Sequence, residues 1–205
     1  MKITLTENLK QKPDFKNLGF GKYFTDHMLY MEYVDGKWGE VEIRPFSDIA
    51  VNPASVVFHY GQEIFEGMKA YKNTDGKITM FRPRDNILRM NRSAKRLCMA
   101  ELPVDEVLEG IFELVRIEKD WIPTDPGTSL YIRPTMIANE NFLGVHPSKK
   151  YIFFVILSPV GSYYAHGLEP TRIYVEDVFN RAALGGTGEC KCENFDRAVA
   201  GDTGE

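Results

Sequence analysis

The sequence predicts an α+β domain with a largely antiparallel sheet, and three observations carry that expectation. Two stretches of alternating apolar and polar residues fold back about Asp-Gly pairs, at Asp35-Gly36 and Asp75-Gly76, and such pairs supply the left-handed backbone of a hairpin turn. Residues 104–118 place Val104, Val107, Leu108, Ile111, Leu114 and Val115 on one helical stripe. The run from Tyr151 to Leu157 is apolar throughout, as expected of a strand covered on both faces. Helices interspersed among hairpin-linked strands define the class.

The elements follow in order. Residues 29–44 (LYMEYVDGKWGEVEIR) read as one hairpin, and MKAYKNTDGKITMF as a second. Over 85–98, Ile87, Leu88, Met90, Ala94, Leu97 and Cys98 lie at near-helical spacing, with Asp85 placed to cap that helix after Pro83. Pro103 and Pro123 bracket the 104–118 helix. SLYIRPTMI and KYIFFVILSPV then read as strands. SPVGSYYAHGLEP, with Gly161, Gly167 and Pro170, reads as a connection between domains, and TRIYV as the strand that opens the next. The final stretch, CENFDRAVAGDTGE, is poor in large apolar residues, and residues 169–205 are too few for an independent core.

Composition narrows the function. Hydrophobic residues at 43% and charged residues at 26% suit a globular chain and exceed the apolar content of disordered ones. A net charge of −4 argues against nucleic acid. Without a run of about 20 apolar residues or an apolar leader, the expectation is a cytoplasmic protein that does not enter a membrane. Cys98, Cys190 and Cys192 form no disulfide framework, and the scattered His27, His59, His146 and His166 form no metal pattern. One local bias stands out: six basic residues (Arg82, Arg84, Arg89, Arg92, Lys95, Arg96) against Asp85 alone between 82 and 96. Either this is a solvated helix face, or one guanidinium turns inward to hold a phosphate, whose oxygens its planar fork matches.

A second candidate is Arg181-Ala-Ala-Leu-Gly-Gly-Thr-Gly-Glu-Cys-Lys191, where glycines permit close backbone approach to a ligand. Tyr131 and Arg133, two apart on a strand, share a face and could meet one ligand.

Five segments carry a resemblance. FTDHML, FHYGQEIFEGMKAY, FRPRDNILRMNRSAKRL, SLYIRPTMIANENFLGVHPSKKYIFFVILSPVG and YVEDVFNRAALGGTGECK, in this order between about residues 18 and 192, are similar to the branched-chain amino-acid aminotransferases. The resemblance implies fold-type IV of the pyridoxal-phosphate enzymes. Residues 1–160 would be the complete small N-terminal domain, 161–170 the interdomain loop, and 171–205 the start of a large cofactor domain that is mostly missing. It implies Lys191 as the Schiff-base lysine that also moves protons, Arg89 on the phosphate of pyridoxal 5'-phosphate, and Arg181 near the cofactor. Tyr131 with Arg133 would contact substrate; Tyr60, Phe65 and Phe20 would line the side-chain pocket, and Tyr163 would join from the interdomain loop. The implied reaction belongs to branched-chain amino-acid biosynthesis: the amino group of leucine, isoleucine or valine passes to 2-oxoglutarate, giving 2-oxo acids and glutamate, in a homodimer. Other fold-type IV enzymes, D-amino-acid transaminases and aminodeoxychorismate lyases, resemble it less.

The pattern breaks after the lysine. Where the family has a glycine pair, Asn and Tyr, this chain reads Cys192-Glu193-Asn194-Phe195-Asp196. The carboxylate that would meet the pyridine nitrogen has no counterpart. The expectation is a truncation or shifted reading frame with an atypical tail from about 193, and an inactive fragment is the competing reading.

Overall fold

Both Asp-Gly pairs form the turns expected of them. In the computed structural model, which describes residues 1–161, 170, 172, 173, 175 and 186–192, Asp35 and Gly36 take φ of 53° and 79°, the double left-handed geometry of a tight hairpin. That turn joins β2 (His27–Val34) to a very short β3 (Lys37–Trp38). The second turn, with Gly76 at φ 82°, joins β6 (Met68–Lys72) to β7 (Ile78–Met80).

The first hairpin is less simple than its sequence suggests. Beyond Trp38 the chain leaves the ladder and returns as a separate strand, β4 (Glu42–Pro45), on the early residues of β2. The opposite edge of β2 pairs with β9 (Tyr151–Val160), so β2 is an interior strand. β8 (Ser129–Ala138) pairs with β9 along its whole length. With β1 (Lys2–Ile3) and β5 (Glu63–Phe65), the strands form one sheet ordered β1-β4-β2-β9-β8-β6-β7, β3 lying on β2 and β5 on β8. Among the described strands only the β1–β4 contact is parallel.

The helices cover one face. The 104–118 stripe forms α3 (Val104–Ile117), and the basic segment forms α2 (Pro83–Arg96). Their buried residues, Ile87, Met90 and Ala94 from α2 and Val107, Ile111 and Leu114 from α3, join Leu29, Ile43, Leu130, Ile132, Phe153 and Val155 in the main core. Strand β8 alternates buried and half-buried residues almost perfectly. Leu130, Ile132, Met136 and Ala138 therefore face the helices, and Tyr131, Arg133, Thr135 and Ile137 face away.

One expectation about the helices needs correction. Asp85 does not cap α2: Arg82 occupies the cap position with φ 46°, no side chain caps the end, and Asp85 sits in the first turn paired with Arg82. Pro83, fixed at the first helical position where no N–H is needed, sets the start instead. The short α1 (Val56–Tyr60) gave no sequence signal, its five residues being too few to show a period. The expected interdomain loop and the strand at 171–175 lie largely outside the described residues.

Candidate active site

The break between β5 and β6 builds the site. Phe65 lies opposite Thr135 and Met68 opposite Ile132, so the register runs on unbroken and Glu66 faces Pro134 across the ladder. The Glu66 N–H donates to the Pro134 carbonyl at 2.8 Å, but proline has no N–H to return. Side chains alternate through this gap. Phe65 and Gly67 point to the helix-free face, and Glu66 points with Ile64 and Met68 toward the helices.

On the helix-free face, Gly67 stands across from Arg133. A Cβ built there would lie 2.4 Å from the Tyr131 hydroxyl oxygen, so the absence of a side chain lets that hydroxyl lean across the strand. Arg133 donates from Nε to the same oxygen at 3.2 Å. Its guanidinium lies 4.6 Å from the centre of the Phe65 ring, and Phe20 packs on Tyr131 with ring centres 5.0 Å apart.

Lys191 reaches this cluster from far along the chain. Its backbone carbonyl accepts from the Phe65 N–H at 3.1 Å, and Cys192 bridges Ile64, so residues 190–192 run along the free edge of β5. Alternation sends Cys190 and Cys192 into the core and the Lys191 ammonium over the Phe65 ring, 4.4 Å from its centre. Two cations thus lie against one aromatic ring, whose negative face attracts both.

On the helix side, Glu66 is fully buried and its carboxylate binds Arg89 at two points, Oε1 to Nε at 2.5 Å and Oε2 to Nη2 at 2.7 Å. Hydrogen bonding to Glu66 pushes the Arg89 pKa upward from its already high ordinary value. Ser93, one turn on, accepts the Lys191 N–H at 2.9 Å, and Arg96 donates to the Gly186 carbonyl at 2.6 Å. Between these parts lies a cavity of about 280 Å³ lined by Arg89, Arg92, Ser93, Arg96 and the 187–190 segment.

Of the nine residues singled out from sequence, five come together: Phe20, Phe65, Tyr131, Arg133 and Lys191. Arg89 stands on the cavity at the other side of the Phe65–Gly67 segment. Tyr60 takes a partner elsewhere, its hydroxyl donating to the Leu143 carbonyl. Tyr163 and Arg181 lie outside the described residues. Sequence reasoning missed Glu66, Gly67 and Ser93, and named Arg96 only as one of the six basic residues of the 82–96 segment. The one available signal was Glu66 itself, a carboxylate in phase with the apolar Ile64 and Met68. Among the described residues, no group of three or more His, Cys, Asp or Glu could hold a metal ion, and no helix is long and apolar enough to cross a membrane.

Fold and site together define an α+β domain that sets a lysine on an aromatic ring, with an arginine-lined cavity across the same strand segment. Similarity in sequence narrows the class. The chain is 52% identical over 184 residues to branched-chain-amino-acid transaminase 1 of Bacillus subtilis (strain 168), covering 89% of this chain and 52% of that protein. It is 50% identical over 192 residues to branched-chain-amino-acid aminotransferase 2 of the same organism, covering 93% and 53%. No family model matches the chain. A crystal structure of the Escherichia coli branched-chain amino acid aminotransferase overlaps 66% of this chain and 40% of its own, with 26% identity and a TM-score of 0.48; the assignment rests on the sequence matches. In sequence the chain is similar to the branched-chain aminotransferases, and it spans about half the length of the curated relatives it matches.

Proposed function

We propose that this chain forms the small domain and the lysine-bearing segment of a pyridoxal-phosphate-dependent aminotransferase. In this reading the amino group of leucine, isoleucine or valine is passed to 2-oxoglutarate. The observation that carries it is the meeting, on one strand edge, of Lys191 with the Phe65–Arg133–Tyr131 cluster, adjoining a cavity with three arginines.

The residues suit the cofactor. Arg89 spends two of its five N–H groups on Glu66, leaving three for phosphate oxygens. Ser93, Thr187 and the backbone near Gly188, itself at φ 60°, are short groups that let an anion approach. When bound, pyridoxal phosphate supplies the electron sink for chemistry at the amino acid's Cα. The chain supplies the rest: Lys191 is the amine that carries protons at that carbon, Arg133 with Tyr131 offers donors to a carboxylate, and Phe20 and Phe65 keep water from an aliphatic side chain. An apolar wall separates leucine, isoleucine and valine weakly, because one methylene is worth about 1–3 kcal/mol.

The reading extends to a homodimer in a cytoplasmic setting. Phe58, Leu143 and Val145 are exposed at 62%, 61% and 91% around α1 and the 140–147 loop, an apolar patch suited to a second copy, and three unpaired cysteines suit a reducing compartment. One observation favours an inactive chain instead: Cys192-Glu193-Asn194-Phe195 lacks the glycine pair and tyrosine of the family pattern. Adding pyridoxal phosphate to the purified chain tests both. A new visible absorption band is expected for wild type and none for Lys191→Ala, with leucine but not D-alanine bleaching it. An equal band in the variant would defeat the assignment.

A further inference from the structure

Glu66 belongs to no part of the reaction, yet its surroundings are more specific than a buried carboxylate needs. It has no solvent exposure. Both oxygens are occupied: Oε1 by Arg89 Nε, and Oε2 by Arg89 Nη2, by Asn86 Nδ2 at 2.9 Å and by the Gly67 N–H at 3.2 Å. Arg89, by contrast, is 45% exposed along its side chain and lines the arginine-walled cavity. A half-exposed arginine has many rotamers. A two-point ion pair to a buried carboxylate bonded at both oxygens favours one, because the planar fork matches the carboxylate plane.

The backbone that carries the carboxylate is shared with the rest of the site. Glu66 sits in the one stretch where the β5–β6 strand is held by Pro134 on one side only, flanked by Phe65, whose N–H holds the Lys191 carbonyl, and by Gly67, over which Tyr131 leans. The tripeptide therefore connects three parts of the site through consecutive residues.

The geometry points to Glu66 as the positioning residue of the cavity: its two-point grip fixes Arg89 so that the guanidinium's remaining N–H groups serve a phosphate group. This rests on the cofactor reading above. The chemistry recognised is a phosphate monoester, with inorganic phosphate as its simplest form.

Charge and position make opposite predictions, which gives the test its sign. If Glu66 acts only through its charge, removing that charge leaves the cavity more positive and phosphate binds more tightly. If Glu66 positions Arg89, Glu66→Gln releases the guanidinium and phosphate binds more weakly, by about tenfold on the scale typical of residues that orient a binding group. Calorimetric titration of inorganic phosphate into the wild-type chain and Glu66→Gln, with circular dichroism to confirm folding, reads this directly. The loss is expected for pyridoxal phosphate and not for pyridoxal, and it should vanish when Glu66→Gln is made on an Arg89→Ala background. Should Glu66→Gln fail to fold, Asn86→Ala, which removes one hydrogen bond from the same carboxylate at a half-exposed position, is expected to show a smaller loss in the same direction. Unchanged or tighter phosphate binding in the folded variants, or no phosphate binding by wild type, would overturn the inference. Phosphate binding that follows this pattern without any absorption band from pyridoxal phosphate would instead leave Glu66 in its role and remove the cofactor assignment.

Discussion

The three cysteines show how far neighbouring residues can differ in chemistry. Cys98 follows α2 with φ 54° and is exposed, whereas Cys190 and Cys192 are buried in the core on either side of Lys191. Burial, with the nearby Cys192 thiol adding to it, pushes the Cys190 thiol up to about 11, and its hydrogen is turned to the Ser93 carbonyl at 3.7 Å. A thiol that stays protonated and enclosed is a poor nucleophile. A thiol-reactive dye should therefore label one cysteine of the native chain quickly, Cys98, and all three only after unfolding. Rapid native labelling of Cys190 would contradict the placement of the whole 190–192 segment. The same alternation that buries the two thiols is what turns the lysine between them out of the core and onto Phe65.

At the level of elements, α3 crosses the sheet where it has least bulk. A Cβ on Gly110 would lie 2.7 Å from Leu29 Cδ1 and 2.8 Å from Val41 Cγ1, so the helix touches β2 and the approach to β4 through bare backbone. Glycine in a helix interior costs about 1 kcal/mol relative to alanine, a cost accepted here for close packing. Gly110→Val gains back part of that helix propensity but inserts three carbons where none fits, and overpacking of a filled core costs roughly 1–3 kcal/mol or more. The net expectation is a loss of about 2 kcal/mol in urea unfolding, and an unchanged midpoint would show that the helix rides further from the sheet. Helix α2 is anchored differently. Asn91 is buried and bonds both the carbonyl and the N–H of Leu102, at 2.9 and 2.8 Å, tying the α2–α3 connection to the helix that carries Arg89, Ser93 and Arg96.

Across the whole molecule, one buried cluster ties the N-terminal segment to the fold. The Thr6 N–H donates to His27 Nε2 at 2.9 Å. With that nitrogen accepting, the ring proton is on Nδ1, which donates to Glu118 Oε1 at 2.6 Å, joined there by the His27 backbone N–H at 2.8 Å. Asp26 accepts from the Lys10 N–H and from the Trp121 indole. Residues 6–10, the start of β2 and the end of α3 thus meet at a single point. Burial raises the Glu118 pKa, against the opposing pull of His27. A carboxyl whose folded pKa is raised gives its full contribution below the unfolded value, and that contribution is lost as pH rises through the folded one, since the unfolded chain ionises first. Wild type should therefore lose stability relative to Glu118→Gln as pH increases from about 4 through that window. Urea midpoints of both chains across the range check the slope, and a constant difference would refute it.

What could be read from the residues alone was whatever depends on neighbours along the chain. Asp-Gly turns, the α3 stripe, the strand at SLYIRPTMI and the apolar run from Tyr151 to Leu157 all express local backbone preference and periodic burial, and each formed where expected. Ordered motifs likewise pointed to Lys191, Arg89 and the Tyr131–Arg133 pair. The remainder was decided by tertiary structure. Nothing local marks Glu66 as the partner of Arg89, Gly67 as room for Tyr131, or Phe65 as the ring beneath both Lys191 and Arg133, because those relations join residues on different elements, the nearest pair already 23 positions apart. They exist only once β5 lies against β8 and the 190–192 segment lies against β5, where a carboxylate deprived of water must find a cation and a strand edge must find a partner.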